Sequence, residues 1–207
     1  MSAERGSSYG QHRAATPVDR LGIWLSARAI GRHVRHDGAR IADFGCGYDG
    51  RLARSLAERA ASVLAVDLAL APDLGEQPRI TAVESPIAEL LPTLPDASLD
   101  LVLCVSVLEH LWEPEAALAH FHRLLAPGGA LFVNVPSWRG KRFLELAAFR
   151  FGVSPAEEMD DHKRYYDPRD LWPMLVAAGF RPSAIRCRRH KLGLNTYAVC
   201  RAAPDTR

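Results

Sequence analysis

One stretch decides the predicted fold: residues 40–54, which read RIADFGCGYDGRLAR. Its opening residues after Arg40 are short and mostly apolar, as a buried parallel strand requires. Three glycines follow between residues 45 and 50, and a helical pattern begins at Arg51. Glycine tolerates a positive φ and has no Cβ, so a ligand can lie against backbone N–H groups at the start of a helix. The order of strand, glycine turn and helix predicts a site for a nucleotide-like cofactor; a turn that only joins two elements is the alternative.

The glycines alone do not distinguish two classes of cofactor. The spacing Gly45-x-Gly47-x-x-Gly50, with Asp67 downstream, also satisfies the fingerprint of dinucleotide-binding proteins. Asp43 lies two residues before the first glycine, at the predicted end of the strand. A carboxylate there would repel a pyrophosphate but would attract the ammonium of an amino-acid moiety. The pattern therefore favours a cofactor that carries an amino acid.

The segment Asp43-Phe-Gly-Cys-Gly47 resembles the first motif of class I S-adenosylmethionine-dependent methyltransferases. Three further motifs follow in the order typical of that family. They are an acidic residue ending a second strand, an aspartate in a fourth strand followed by Leu-Glu-His opening a helix, and a proline-glycine-glycine turn before a fifth strand. In this chain they are Asp67, Asp100 with Leu108-Glu-His110, and Pro127-Gly128-Gly129. Together they resemble the small-molecule branch typified by ubiquinone and menaquinone methyltransferases (methyltransferase type 11).

This resemblance implies a Rossmann-like α/β fold: a doubly wound, mostly parallel seven-stranded sheet with helices on both faces and an antiparallel C-terminal strand. A chain of 207 residues has room for one sizeable core, so we expect a single methyltransferase domain over residues 16–203. Residues 1–15 are small and polar and predict a flexible tail, unless they fold over a bound ligand. We expect residues 136–166 to form a lid or acceptor-site insertion.

The resemblance also implies S-adenosylmethionine as the cofactor. Asp67 is expected to hold the ribose hydroxyls, and the backbone around Cys104 to line the methionine end. Where the family usually has an aspartate for adenine, this chain has Glu84-Ser85-Pro86-Ile87, so Ser85 and Ile87 are the candidates. The expected cofactor-binding residues are Asp43, Phe44, Gly45, Cys46, Gly47, Gly50, Asp67, Leu68, Ser85, Ile87, Cys104 and Val105.

The acceptor site is expected after the fifth strand, because ligands of open α/β sheets bind at the carboxyl ends of the strands. Residues 138–151 carry a tryptophan, three phenylalanines and several basic side chains. Aromatic residues suit an apolar or ring-bearing acceptor, while Arg139, Lys141 and Arg142 suit an anionic group on it. An amphipathic helix that packs on its own domain is the alternative.

Methyl transfer from a sulfonium is an in-line displacement, so we expect transfer to a small-molecule acceptor to depend mainly on alignment. Positioning contributes about 7–11 kcal/mol in well-oriented pairs, against about 3–5 kcal/mol for a general base. If the acceptor is an oxygen rather than a carbon, its proton must leave, and histidine is the natural base near neutral pH. His162, beside two aspartates, is the first candidate, and His110 or Glu109 is the second. A non-catalytic partner that binds S-adenosylmethionine and an NAD-dependent oxidoreductase remain the alternatives.

Composition limits the partners and the compartment. The formal charge of +2 gives no concentrated basic character, so we expect no nucleic-acid partner. Four cysteines without zinc-like spacing predict reduced thiols, and we expect no metal site. No apolar run reaches the roughly 20 residues of a membrane span and the start lacks a signal-peptide pattern, which predicts a cytoplasmic protein. A homodimer is compatible with these features.

Overall fold

The structure is a computed structural model that describes residues 8–11, 16–34, 36–142 and 163–204 of the chain. Helices and strands follow one another in the order expected of a doubly wound sheet. They are α1 (Pro17–His33), β1 (Arg40–Phe44), α2 (Arg51–Ala57), β2 (Ser62–Asp67), β3 (Ile80–Glu84), α3 (Ile87–Leu90), β4 (Leu99–Val105), α4 (Pro114–Leu124), β5 (Leu125–Pro136), α5 (Pro168–Ala177), β6 (Ile185–His190) and β7 (Asn195–Arg201).

The described strands form one seven-stranded sheet in the order β3-β2-β1-β4-β5-β7-β6. The pairs that join β3, β2, β1, β4 and β5 are parallel, and β7 runs antiparallel to both β5 and β6. The predicted fold class is therefore confirmed. The chain order reverses between β1 and β4, and such a reversal opens a crevice at the carboxyl ends of the strands where ligands bind.

Two hydrophobic cores cover the two faces of the sheet. Phe121 of α4 and Leu171 of α5 pack on one face, together with Phe44, Cys104 and Val133 from the strands. We call this the α4 face. On the opposite face, Ile30 of α1 and Leu52 of α2 pack with Ile41, Leu103 and Phe132. We call this the α1 face; alternation along each strand decides which face a side chain joins.

The sequence sets the start of α1 through its capping residues. The Thr16 hydroxyl accepts a hydrogen bond from the Asp19 amide at 3.2 Å, and the Asp19 carboxylate accepts one from the Thr16 amide at 2.7 Å. Pro17 occupies the first helical turn, where a missing N–H costs nothing. This reciprocal box fixes the helix that covers the α1 face.

The segment after β4 differs from its prediction. Leu108–His110 was expected to open a helix, but it forms an isolated 3₁₀ turn, and α4 begins only at Pro114. Leu111 and Glu113 are not helical, and Pro114 takes the first helical position because it has no N–H to leave unpaired. Glu109 and His110 therefore lie in a turn at the carboxyl edge of the sheet.

Candidate active site

The two carboxylates singled out in the sequence lie on the same face of the sheet. Asp43 ends β1 beside Ala65 of β2, and Asp67 follows two residues later along β2, so both alternate with core residues onto the α1 face. Asp43 is only 2% exposed, and its Oδ2 has no hydrogen-bond partner among the described residues. Burial, and secondarily the charge of Asp67, raises the pKa of Asp43 to about 7. A buried carboxylate of this kind would be stabilised in its charged form by a cationic group of a ligand.

The glycine turn after β1 leaves no room for side chains. Gly45 has φ +75°, and a Cβ there would lie 2.1 Å from Cγ2 of Val107. Gly47 has the same φ, and its amide donates to Oδ2 of Asp67 at 2.8 Å. Val107 therefore packs directly against Gly45, which holds the turn against the segment after β4. The hydrogen bond from Gly47 to Asp67 joins the turn to β2.

A short N-terminal segment lies over this turn. The Ser8 hydroxyl donates to Oδ1 of Asp67 and accepts from the Ala69 amide at 2.6 Å, and Ser8 is 5% exposed. The Tyr9 carbonyl accepts from the Tyr48 amide at 2.9 Å. Residues 8–11, which were placed in the flexible tail, thus contact the carboxylate that was expected to hold a ribose.

The end of β3 lies next to Asp67 in the sheet register. Oε1 of Glu84 accepts from the Leu70 amide at 2.7 Å, so this carboxylate orders the segment after β2. The Ser85 amide donates to the carbonyl of Asp67 at 3.0 Å. Ile87 starts α3 and packs at the margin of the core on the α4 face. Of the adenine candidates, Ser85 is the one tied directly to Asp67.

Two of the expected cofactor residues direct their side chains elsewhere. Phe44 stacks on Phe121 at a centroid distance of 5.2 Å, and Cys104 is fully buried in the same core on the α4 face. Burial raises the pKa of the Cys104 thiol. The side chains of these residues build the core, and only their backbone belongs to the edge of the crevice.

The carboxyl edge of β4 carries the remaining candidates. Ser106, directly after Val105, has φ +58°, a strained value for a residue with a side chain. Glu109 is 1% exposed, and its carbonyl accepts from the Lys163 amide at 2.9 Å. The His110 carbonyl accepts from the Lys163 ammonium at 2.6 Å. These two hydrogen bonds from Lys163 attach residues 163–166 to the turn that contains Glu109 and His110.

Comparisons with known proteins identify the family of this chain. Residues 42–133 match the family model described as a methyltransferase domain. The ubiquinone biosynthesis O-methyltransferase of Xylella fastidiosa is 30% identical over 203 residues, which cover 85% of this chain and 78% of the relative. The chain belongs to the class I S-adenosylmethionine-dependent methyltransferases.

Solved structures show the same fold. A Burkholderia thailandensis 1,6-didemethyltoxoflavin-N1-methyltransferase, with S-adenosylhomocysteine bound, has a TM-score of 0.67 at 22% identity and covers 90% of this chain and 80% of its own. An S-adenosylmethionine-dependent methyltransferase from Mesorhizobium loti has a TM-score of 0.64 at 20% identity, covering 87% and 97%.

The residues of this methyltransferase fit S-adenosylmethionine. The cofactor carries an ammonium, and Asp43 is a buried carboxylate whose Oδ2 has no partner among the described residues. It carries a nucleoside, and the glycine turn offers backbone without Cβ atoms between Asp43 and Asp67. This fit needs no metal, and the described part of the chain holds no cluster of three or more His, Cys, Asp or Glu side chains that would bind one.

The methyltransferase's predicted lid is described only at its ends. Trp138 and Tyr165 lie with ring centroids 5.6 Å apart, and the Lys141 ammonium lies 5.7 Å from the first ring and 5.6 Å from the second. Arg139 and Arg142 are exposed at the start of the segment. Residues 143–162, which include His162, lie outside the described residues.

Sequence reasoning missed three residues that the structure places at the crevice. Asn134 is fully buried at the end of β5, and its presence in the apolar run Leu131-Phe-Val-Asn-Val135 was a signal that could have been followed. Ser8 had no motif to mark it. Lys191 follows β6 with φ +49°; burial lowers its pKa to about 8, and the nearby Glu109 opposes that shift.

One groove lies apart from this site. A groove of about 680 Å³ at the opposite edge of the sheet is lined by His33, Arg59, Asp100 and Gly128, among others, and contains none of the predicted site residues. Within the described ranges, no helix combines the length and the apolar character needed to cross a membrane.

Proposed function

We propose that the protein methylates an oxygen of a small-molecule acceptor, with carbon as the alternative, at the carboxyl ends of β4 and β5. One observation carries the proposal: Asp43 and Asp67 lie on the same face of the sheet, Asp43 on the strand where the order reverses, and Oδ2 of the buried Asp43 has no hydrogen-bond partner among the described residues. The O-methyltransferase of Xylella fastidiosa, 30% identical to this chain, supports the choice of oxygen.

In this proposal the cofactor supplies an electrophilic methyl group on a sulfonium. Asp43 binds the ammonium, and Asp67 accepts hydrogen bonds from the ribose. Ser85 and Ile87 contact the adenine, while Leu68, Cys46 and Gly50 shape the loops around the nucleoside. The backbone of Phe44, Cys104 and Val105 lines the edge of the crevice. The side chains of Phe44 and Cys104 do not contact the cofactor in this proposal, because both pack in the core on the α4 face.

Removal of the acceptor proton is assigned to His162 first, with His110 and Glu109 as alternatives. The residue that follows His162 in sequence, Lys163, bonds to the backbone of both alternatives. That contact holds Lys163 next to the turn that contains Glu109 and His110. Histidine suits the role because its charge changes near neutral pH.

Alignment is the larger contribution. The 3₁₀ turn that carries Glu109 and His110 is fixed by Lys163, and Val107 is wedged against Gly45 of the cofactor turn. The two binding regions are therefore held in one rigid relation, which well-oriented transfer requires.

The function is tested by supplying the purified protein with S-adenosylmethionine labelled on its methyl group and with a cell extract. We expect label in the small-molecule fraction, in a product that resists the conditions that cleave methyl esters. Label confined to RNA or protein would contradict the proposal. Binding of S-adenosylhomocysteine without any transfer would indicate a non-catalytic partner, and binding of NAD in its place would indicate an oxidoreductase.

The base is tested separately with His162→Ala, compared with His110→Ala and Glu109→Gln. We expect the variant of the true base to lose about a hundredfold or more in turnover while S-adenosylhomocysteine still binds. An unchanged turnover and pH profile in His162→Ala would remove His162 from the role.

We further propose a cytoplasmic location, a single domain over residues 16–203, no nucleic-acid partner and a homodimer as the compatible assembly. The four free cysteines support a reducing compartment. Light scattering on the eluting protein measures the assembly, and a monomer at micromolar concentration would reject the dimer.

A further inference from the structure

Asn134 is a polar side chain in an apolar strand. It lies in β5 between Val133 and Val135, both of which pack on the α4 face, whereas Phe132 packs on the α1 face. Alternation therefore turns Asn134 toward the α1 face, the face of Asp43 and Asp67. Its exposed fraction is 0%.

The carboxamide of Asn134 is buried and has no hydrogen-bond partner in the part of the chain that the structure describes. Neither its oxygen nor its nitrogen makes a hydrogen bond among the described residues. Its two neighbours across the sheet supply none, because Val105 is apolar and the Tyr197 hydroxyl lies 3.1 Å from Nε2 of His33. On α1, the buried Ser26 hydroxyl donates to the Gly22 carbonyl within its own helix. Buried amides without partners are uncommon and call for a ligand or a water.

The backbone of the same residue holds the strained end of β4. The Asn134 carbonyl accepts from the Ser106 amide at 2.7 Å, and Ser106 is the residue with φ +58°. Strain of this kind persists where surrounding contacts impose it, and it clusters at functional sites. Asn134 therefore joins β5 to the turn that carries Glu109 and His110.

Asn134 also lies on the acceptor side of Asp43, at the ends of β4 and β5. From β1 the sheet passes through β4 to β5, and Asn134 is paired with Val105, two residues beyond the partner of Asp43. Strand spacing and rise put the two Cα atoms about 12 Å apart. Asp67 lies on β2, on the other side of β1, so an acceptor bound at the ends of β4 and β5 would lie next to Val105 and Asn134.

We propose that Asn134 is an acceptor-binding residue, whose carboxamide hydrogen-bonds an oxygen of the acceptor and holds the reacting atom in line with the methyl group. The proposal rests on the proposed function. A carboxamide presents a donor and an acceptor side by side, so the ligand class it fits is a small molecule that carries hydroxyl or carbonyl oxygens, of which catechol is a simple example. An apolar acceptor would leave both atoms unpaired.

The test uses catechol as the probe and the full-length protein saturated with S-adenosylhomocysteine. Affinity for catechol is measured by NMR titration in wild type, Asn134→Leu and the control Thr196→Val. Thr196 is the matched control because its hydroxyl is also fully buried with no partner among the described residues, but it alternates onto the opposite face, beside Val135. We expect Asn134→Leu to weaken catechol binding about tenfold or more, and Thr196→Val to leave it within about twofold.

Two further measurements separate binding from folding. Asn134→Leu should bind S-adenosylhomocysteine like wild type and should unfold at an equal or higher temperature, because the substitution removes an unpaired buried amide. Asn134→Asp, which keeps an acceptor and the shape, should retain part of the affinity.

Equal catechol affinity in Asn134→Leu and wild type, or no catechol binding by wild type, would overturn the proposal. A water bonded to Asn134 that stays in place in a catechol complex would overturn it as well. Label transfer from S-adenosylmethionine to extract molecules stands apart from these outcomes, so the proposed function can hold while this inference fails.

Discussion

The two halves of the crevice satisfy their polar groups in different ways. In the cofactor half, at the ends of β1 to β3, Asp67 accepts from the Ser8 hydroxyl and from the amides of Gly47 and Leu68. In the acceptor half, at the ends of β4 and β5, the carboxamide of Asn134 has no partner in the described residues, and Ser106 is strained. In the cofactor half Asp67 is already bonded by protein groups and Oδ2 of Asp43 has no partner in the described residues, while in the acceptor half a whole carboxamide is left for a ligand.

This contrast follows from what each half must bind. One constant molecule occupies the cofactor half, so most of its contacts come from a compact motif and its neighbouring strands. The acceptor half is assembled from residues distant in sequence: the Lys163 ammonium bonds to His110, and the Ser137 hydroxyl donates to the Gly193 carbonyl at 2.7 Å. Such contacts depend on how the whole chain folds, whereas those of the cofactor half arise within one short stretch.

The largest expected effect on stability and binding comes from Gly45, where the cofactor half packs against the segment after β4. In Gly45→Ala, the new Cβ would lie 2.1 Å from Val107 and would require φ near +75°. We expect the free energy of unfolding to fall by about 3 kcal/mol and S-adenosylhomocysteine binding to be lost. Chemical denaturation and calorimetry measure the two effects.

Gly38→Ala is the control for that variant. Gly38 has φ +69°, but a Cβ there would meet nothing within 4 Å. We expect only the backbone cost, about 1 kcal/mol, with unchanged ligand binding. Equal losses in the two variants would show that the contact with Val107 does not join the halves.

The next effect isolates the unpaired carboxylate of the cofactor half. Asp43→Asn keeps the shape but removes the charge that neutralises the cofactor's ammonium. We expect S-adenosylhomocysteine affinity to fall about 10- to 100-fold, with stability retained because a buried charge is removed. Calorimetry gives the affinity; an affinity within twofold of wild type would mean that the ammonium binds elsewhere.

Sequence reasoning could predict which residues the structure brings together at the ends of β1 and β2, because they are close in sequence. Asp43, the glycines and Asp67 lie within one βαβ unit, and each residue type has a physical reason to be there. Cys104 entered the cofactor set through its backbone, whereas Phe44 entered it although strand alternation already predicts that its side chain packs on the α4 face, where it lies against Phe121.

The acceptor half was less accessible because its contacts are non-local. Nothing near Asn134 in sequence indicates that Val105 and Tyr197 become its neighbours, since strand order sets that pairing. Ser8 precedes the domain by many residues, and its contact with Asp67 depends on how the chain returns over the glycine turn. Pairing between distant segments is decided by the whole sheet, not by a local pattern.

A smaller effect appears in the pH dependence of the cofactor half. Burial raises the pKa of Asp43 from 3.8 to about 7, so between these values the folded protein holds a proton that the unfolded chain has lost. Stability of the unliganded protein should therefore decrease as pH rises through this window, by at most about 1.4 kcal/mol per pH unit, and level off above about pH 7.

Ligand binding should show the opposite trend, because the ammonium requires ionised Asp43. We expect S-adenosylhomocysteine affinity to rise up to about tenfold per pH unit below pH 7 and to reach a plateau above it. Calorimetric titrations from pH 5.5 to 8.5 measure this, and Asp43→Asn should remove the slope. A slope that persists in that variant would assign the titration to another group.

The smallest effect concerns the N-terminal contact on Asp67. The Ser8 hydroxyl donates to Oδ1, which also accepts from the Leu68 amide at 2.8 Å, so a ribose hydroxyl must compete with Ser8 for the remaining lone pairs. We expect Ser8→Ala to bind S-adenosylhomocysteine about two- to fivefold more tightly, the equivalent of part of one hydrogen bond. Ser98→Ala is the control, since its hydroxyl donates to the nearby Pro95 carbonyl in a turn outside the crevice. Weaker binding in Ser8→Ala would show that this segment closes over the cofactor instead of competing with it, and the cofactor half would then be completed from outside its own βαβ unit.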